Sequence, residues 1–284
     1  MARRVTMVLG GGGAKCIAHL GAWKAVAEWG GAVVHVLGTS MGAVMGAALA
    51  TGATPEAVAG AAETLGAKDV AAVDLLGLVQ GMFARSLLKR ETLKATIGKL
   101  VQAPSFRALT LPFTLTTTDM DTGELVLFGA PVPMRGSARH LGSDASLLDT
   151  LYASCALPVY FPAEILAGRR LADGGLRAVV PLELALGSDV DLVLAIDVGP
   201  GFDEVAAPGP QRVPRLVRSH DEAIRIMMAA QTARVLAAWP RGGTPLVAVR
   251  PVAEKNATFA RGQTARYFTA GYETTLRALA TFGA

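Results

Sequence analysis

A chain of 284 residues with 51% hydrophobic and 18% charged side chains has the composition of a folded protein, which excludes a disordered or low-complexity class and allows one large α/β domain or two small ones. Its net charge of +4 is scattered apart from Arg169-Arg170 and the stretch Gln211 to Arg218, so it reads as a solvated face with weak attraction for anionic lipid, and not as a nucleic-acid surface. The two cysteines, Cys16 and Cys155, show neither zinc nor disulfide spacing, and the apolar run after "MARR" is too short for an export signal. A reducing, cytoplasmic setting without an export signal is expected, and peripheral contact with a membrane is compatible with it.

Taken in chain order, Val5 to Gly10 reads as a strand that runs into four glycines and then an amphipathic helix with Ile17, Leu20, Trp23 and Ala27 on one side. The next stretch, Val33 to Ala53, has two incompatible readings. It is uncharged, with glycines at 38, 42 and 46 in the spacing of packed transmembrane helices, yet its valine cluster and closing glycine fit a buried strand, a sharp turn at "GTSMG" and a helix ending at Gly52. The second parse is preferred, and two strand–turn–helix units in tandem predict a parallel sheet flanked by helices.

Helix is expected over Asp74 to Leu100, whose apolar start "DLLGLVQGMF" suits core or a lid. Further strands are predicted at Pro112 to Met120, Glu124 to Gly129, Asp191 to Gly199 and Pro245 to Pro251. Pro131 to Ser146 reads as a surface excursion and Gly199 to Pro214 as a mobile loop, with strands resuming beyond both.

Three short stretches carry possible chemistry. Gly38-Thr39-Ser40-Met41-Gly42 is a G-x-S-x-G, which places a serine on a tight strand-to-helix turn and aims free N–H groups at any anion formed there; a serine cap in a glycine turn would look the same. "GGGGAKC" satisfies neither the Walker nor the dinucleotide spacing, but it offers consecutive unobstructed amides before a helix, suited to an oxyanion, or else a plain turn. "DGG" at Asp173 to Gly175 is by itself an ordinary hairpin-turn signal.

Of the four histidines, His19 lies in the first helix, His35 inside the strand before Ser40, His140 in the irregular excursion, and His220 at the start of a helix. Only His220 follows Asp173, as an α/β-hydrolase triad would require, and no strand-end loop presents it.

With "GGGGAK", "GTSMG" and "DGG" in this order, the chain resembles the patatin-like phospholipases, in particular bacterial-type lipid acyl hydrolases. That family's pattern is a G-G-G-x-[RK] oxyanion loop, a G-x-S-x-G elbow and a D-G-[GA] aspartate. "TTTDMDTGELVLF" (Thr116 to Phe128) is similar to its A-T-D-x-x-T-G-E strand pair, and "ASCALPVYFP" (Ala153 to Pro162) to its A-S-x-A-x-P-x-x-F-P segment. The likeness covers about Val5 to Val198, and residues 199–284 are expected to complete a single patatin-like domain over 1–284.

The resemblance implies a three-layer α/β/α fold with a central, mostly parallel sheet, and hydrolysis of phospholipid or lysophospholipid carboxylic esters through an acyl-enzyme. Ser40 would be the nucleophile, Asp173 its base, and Gly11, Gly12 and Gly13 the oxyanion loop, with Gly38, Gly42, Gly174 and Gly175 shaping the turns. No cofactor or metal is implied, and the partner is a lipid or acyl ester. Where the family has arginine then glycine after the loop, this chain has Lys15 and Cys16. Lys15, expected to open the first helix, would contact a lipid phosphate, or snorkel to solvent beside the loop, or hold the loop through backbone carbonyls, the last being the preferred reading.

Because a free aspartate with pKa about 3.9 is a weak base for a hydroxyl, burial must raise it if the dyad is to work. The alternatives are a histidine-assisted esterase or peptidase, and a non-catalytic anion or nucleotide binder using the glycine loop.

Overall fold

The computed structural model describes residues 2–65, 86–133, 138–206, 215–255 and 262–283. Asp74 to Phe83, read as core or lid, lies outside the described residues, as do parts of the two irregular stretches.

All six strands predicted from the sequence are present, and they belong to one nine-stranded sheet. β1 (Arg3–Leu9) and β2 (Gly31–Thr39) pair in parallel, β2 pairs in parallel with β3 (Phe113–Asp119), and β8 (Leu192–Ile196) and β10 (Leu246–Val249) extend the parallel part beyond β1. Beyond β3 the sheet turns antiparallel through β4 (Leu125–Gly129), which carries the short β5 (Arg139–His140), while β6 (Glu164–Leu166) and β7 (Arg169–Asp173) form a hairpin. A separate pair joins β9 (Val205–Ala206) to β11 (Glu254–Lys255).

Strand alternation sorts the core into two layers. Met7, Leu9, Val36, Leu194 and Phe128 face one side, whereas Val8, Leu37, Val193, Ala195 and Leu127 face the other. The first side is covered by α1 (Ala18–Glu28), α2 (Met41–Ala50), α3 (Pro55–Glu63), α4 (Arg90–Leu100), α5 (Leu147–Cys155) and α7 (Thr264–Gly283). The second is covered by residues 178–185 and by α6 (Arg215–Ala237). The result is a three-layer α/β/α fold with a mixed, mostly parallel central sheet.

The apolar stretch Val33 to Ala53 is thus β2, a turn and a ten-residue α2, and among the described residues no helix is long and apolar enough to cross a membrane. The first helix differs from its expected face. Residues 13–17 form a tight 3₁₀ turn, and α1 starts only at Ala18. Wedged between the sheet and α7, α1 buries Leu20, Gly21, Ala25 and Val26, leaving Trp23 half-buried and Ala27 exposed. Two glycines permit that close approach: a methyl at Gly21 would lie 2.0 Å from the Phe268 carbonyl oxygen, and one at Gly271 1.9 Å from that of Ala18.

Candidate active site

The topology brings two strand ends together along one edge of β3. β4 occupies the other edge opposite Thr114 to Thr118, so β2 (opposite Phe113 to Thr116) and β7 (opposite Thr117 to Asp119) share the remaining one. β2 ends at Thr39 beside Thr116, and the opposed β7 ends at Asp173 beside Thr117. The residues at these two ends meet: the Ser40 hydroxyl donates to Asp173 Oδ2 at 2.8 Å.

Ser40 sits at φ 55°, ψ −134°, in the positive-φ half of conformational space where a residue with a side chain is strained by about 1–3 kcal/mol. Its surroundings hold it there. Its N–H donates to Ser154 Oγ at 2.8 Å, and its carbonyl accepts the first helical bonds of α2 from Ala43 and Val44. A methyl at Gly38 would lie 2.6 Å from Ala43 Cα, and one at Gly42 2.5 Å from the Gly10 carbonyl oxygen, so strand, turn and helix close only around bare backbone. The serine–cap alternative is not what the geometry gives, since the Ser40 side chain makes no bond to α2 and points to Asp173.

Asp173 needs no such strain. It ends β7 in ordinary extended backbone and leads into a 3₁₀ turn, not a hairpin, with Oδ1 accepting the Gly175 N–H at 2.7 Å. Its own N–H donates to the Ala156 carbonyl, and its carbonyl accepts from Thr118 Oγ1 at 2.9 Å. Gly174 fits because any side chain would collide with Thr116, 2.2 Å from the hydroxyl oxygen. The carboxyl is 5% exposed, and burial raises its pKa to about 6 against the pull of the Gly175 amide and the Ser40 hydroxyl.

The glycine loop runs beside this pair. Gly11 lies against Ser40, a methyl there being 3.2 Å from Ser40 Cβ, while Gly12 and Gly13 are half-buried and Gly13 takes φ 60°. Of the three amides expected to face an anion, that of Gly11 donates to the Val179 carbonyl at 2.9 Å. The Cys16 thiol donates to the Gly10 carbonyl at 3.5 Å, and burial pushes its pKa well up. The Gly10 carbonyl accepts from His19 Nε2 at 2.8 Å; since a carbonyl only accepts, His19 carries its proton on Nε2, and burial lowers its pKa to about 4.

Lys15 neither opens an α-helix nor reaches solvent. It is 3% exposed, and its Nζ donates to Glu204 Oε1 at 2.9 Å, to the Glu254 carbonyl at 3.1 Å and to the Gly199 carbonyl at 3.4 Å.

None of the four histidines stands between Ser40 and Asp173, which bond directly. His35 is tied to Thr114 Oγ1, His140 to the Gly129 carbonyl, and His220 sits half-buried within α6. Both cysteines are free and buried, and among the described residues no three His, Cys, Asp or Glu side chains are grouped to hold a metal ion.

Sequence reasoning missed Ser154, which fixes the Ser40 amide, and the threonines that clasp the strands. Thr39 Oγ1 lies 2.7 Å from both Thr116 Oγ1 and the Ala178 carbonyl. Ser154 stands in the noted "ASCALP" stretch, so its neighbourhood was visible but not its partner.

A strand–turn–helix elbow carrying a serine in strained backbone, on a mostly parallel sheet between helices, defines the chain as a three-layer α/β protein. Residues 7–186 match the patatin-like phospholipase family, and the chain belongs to it. It is 31% identical over 221 residues to an uncharacterised NTE family protein of Mycobacterium tuberculosis, covering 76% of this chain and 56% of that protein, so it spans little more than half the length of these mycobacterial relatives. It is also 31% identical over 201 residues to human patatin-like phospholipase domain-containing protein 6, covering 69% of this chain and 13% of the human one. Among solved structures, VipD from Legionella pneumophila has the same fold at 17% identity and a TM-score of 0.54, over 99% of this chain and 67% of VipD.

Proposed function

We propose that the chain is a serine lipid acyl hydrolase that cleaves carboxylic esters of phospholipids or lysophospholipids through a Ser40–Asp173 dyad. The observation that carries this reading is the direct 2.8 Å bond from the Ser40 hydroxyl to a buried carboxylate. Its pKa of about 6 leaves the carboxylate ionised at neutral pH and a stronger base than a free aspartate.

As Ser40 Oγ attacks the ester carbonyl carbon, its proton passes to Asp173 Oδ2 and the carbonyl π electrons move onto oxygen. The Gly12 and Gly13 amides receive that oxyanion, while the Gly11 amide keeps the loop fixed to Val179. Collapse of the tetrahedral species breaks the ester C–O bond, and Asp173 returns the proton to the departing alkoxide. Water, deprotonated by the same carboxylate, then attacks the acyl-enzyme and releases the fatty acid and free Ser40.

Contact with a lipid surface belongs to this reading. It is supported by α6, whose Leu216, Ile226 and Met227 are exposed beside Arg215 and Arg218, while Met228 on the same helix packs toward Gly175.

The test is Ser40→Ala, assayed on p-nitrophenyl esters and on phospholipid vesicles, with fluorophosphonate labelling of the wild type. Loss of both activities by at least about 10⁴-fold, with a retained melting transition and labelling at Ser40, is expected. Hydrolysis at wild-type rate by Ser40→Ala contradicts the dyad, and a wild type that neither labels nor hydrolyses would be an anion binder.

A further inference from the structure

The family match ends at residue 186, yet the glycine loop rests on residues beyond it. A methyl at Gly12 would lie 2.3 Å from the Val198 carbonyl oxygen, and one at Gly199 3.1 Å from the Gly11 carbonyl oxygen, so Val198-Gly199 is the floor on which the loop lies. That floor follows the end of β8 and is outside any strand or helix.

Charged side chains hold it instead. Asp197 Oδ1 accepts the Gly199 N–H at 2.9 Å, and Asp197 Oδ2 accepts from Arg250 Nη1 at 2.6 Å. The Gly199 carbonyl accepts from Arg250 Nη2 at 3.2 Å and from Lys15 Nζ at 3.4 Å. Arg250 Nε also reaches both oxygens of Asp203 at 2.9 Å. Behind this tier Glu204 bridges Lys15 and Arg225, with the Lys15 and Glu204 side chains only 4% and 3% exposed. Three cations, Lys15, Arg225 and Arg250, thus face three carboxylates, Asp197, Asp203 and Glu204.

A largely buried cluster of this kind, with only Asp203 more than half exposed, is a poor device for stability, because desolvating its inner charges offsets most of their attraction and well-packed apolar side chains would serve as well. What it provides is direction. Arg250 grips one short peptide through a planar fork, and Lys15, two residues past the loop, ties the loop's far end to the same carbonyl.

We propose that Arg250 and Glu204, acting with Lys15, are positioning residues for ester hydrolysis: they fix the Val198-Gly199 floor and thereby aim the Gly12 and Gly13 amides at the developing oxyanion. The inference rests on the acyl-hydrolase reading above. It assigns the segment beyond the family match a part in the chemistry, through residues that touch neither Ser40 nor Asp173.

Arg250→Met, Arg250→Lys and Glu204→Gln test it, with kcat and KM measured on two p-nitrophenyl esters of different chain length, alongside thermal melts and the pH profile. Because misaimed donors weaken the transition state whatever the acyl chain, kcat should fall at least about ten-fold in Arg250→Met on both esters, below the 10²–10³ of a deleted donor. KM should stay within about two-fold, and the acid limb of the profile should not move, since Asp173 has none of these groups as partners. Arg250→Lys should recover part of the loss. Glu204→Gln, which leaves Lys15 and Arg225 short of a counter-charge, should lose kcat in its folded fraction; Arg250→Met removes the one-fifth exposed partner of Asp197 and Asp203, so its folded fraction is read from the same melts.

Wild-type kcat in folded Arg250→Met and Glu204→Gln overturns the proposal, as does a loss confined to KM or one that tracks the unfolded fraction in the melts. These failures are separable from failure of the underlying reading. If the wild type is not labelled by a fluorophosphonate at Ser40, the hydrolase reading falls; if it is labelled and the variants turn over normally, only the positioning role falls.

Discussion

The two members of the candidate dyad are held by opposite means. Ser40 is placed locally: a φ of 55° enforced by three consecutive elements, strand, turn and helix, that close around Gly38 and Gly42. Asp173 is placed globally, on relaxed backbone at the end of a strand whose position depends on β3 offering one edge to two opposed strands. On the proposed reading strain aims Ser40 and burial tunes Asp173, so substitutions at the two positions should separate in their effect on stability even where they agree in their effect on rate.

The sharpest form of that separation is Asp173→Asn. The amide can accept from Gly175 and donate to Ser40, but it cannot take a proton, so activity should fall by about 10³-fold or more. The fold should become more stable. A folded-state pKa near 6, above the unfolded value of 3.8, means the native state loses stability as pH rises from about 3.8 to 6, by up to about 3 kcal/mol, with the full penalty present above 6 where both states are ionised. The Tm gain of Asp173→Asn over wild type should therefore be largest at pH 8 and vanish below pH 4. An unchanged or lowered Tm at pH 8 breaks the contrast between strained nucleophile and buried base.

A smaller loss is expected at the loop. Gly12→Ala places a methyl 2.3 Å from the Val198 carbonyl, so the backbone must shift, with kcat down about 10²-fold on any ester and a destabilisation of about 1–3 kcal/mol. An effect on KM alone would mean that the loop serves binding and not the transition state. Smaller still, Ser154→Ala removes the acceptor of the Ser40 amide, which should cost about 1–3 kcal/mol of stability and reduce kcat several-fold by loosening the elbow. A Ser154→Ala enzyme of unchanged Tm and rate would show that the strained backbone holds itself.

This division between local and global placement also sets what could be read from the sequence. Strand periodicity and turn chemistry are local, so β1, β2, β3, β4, β8 and β10 were legible, and so was the elbow at Ser40 with its two glycines. Asp173 was legible only through the order of motifs; nothing in "DGG" announces that β7 continues the edge that β2 leaves. The α1 face was misjudged because a 3₁₀ turn delays the helix and because α7, some 250 residues away in the chain, covers a second side through Gly21 and Gly271. The bonds from Lys15 to Glu204 and the Glu254 carbonyl were likewise invisible, since burial of a lysine depends on partners that no spacing reveals.

The central claim, that a buried aspartate alone activates Ser40, is tested most directly by the pH dependence of kcat/KM in wild type and His220→Ala measured side by side. His19 and His35, with pKa values near 4, cannot supply a limb near pH 6. If Asp173 is the base, both enzymes should lose activity as pH falls through about 6, with the same midpoint and with plateau rates within about two-fold. A limb that disappears in His220→Ala, together with a loss of rate comparable to that of Ser40→Ala, would contradict the dyad and install histidine as the base.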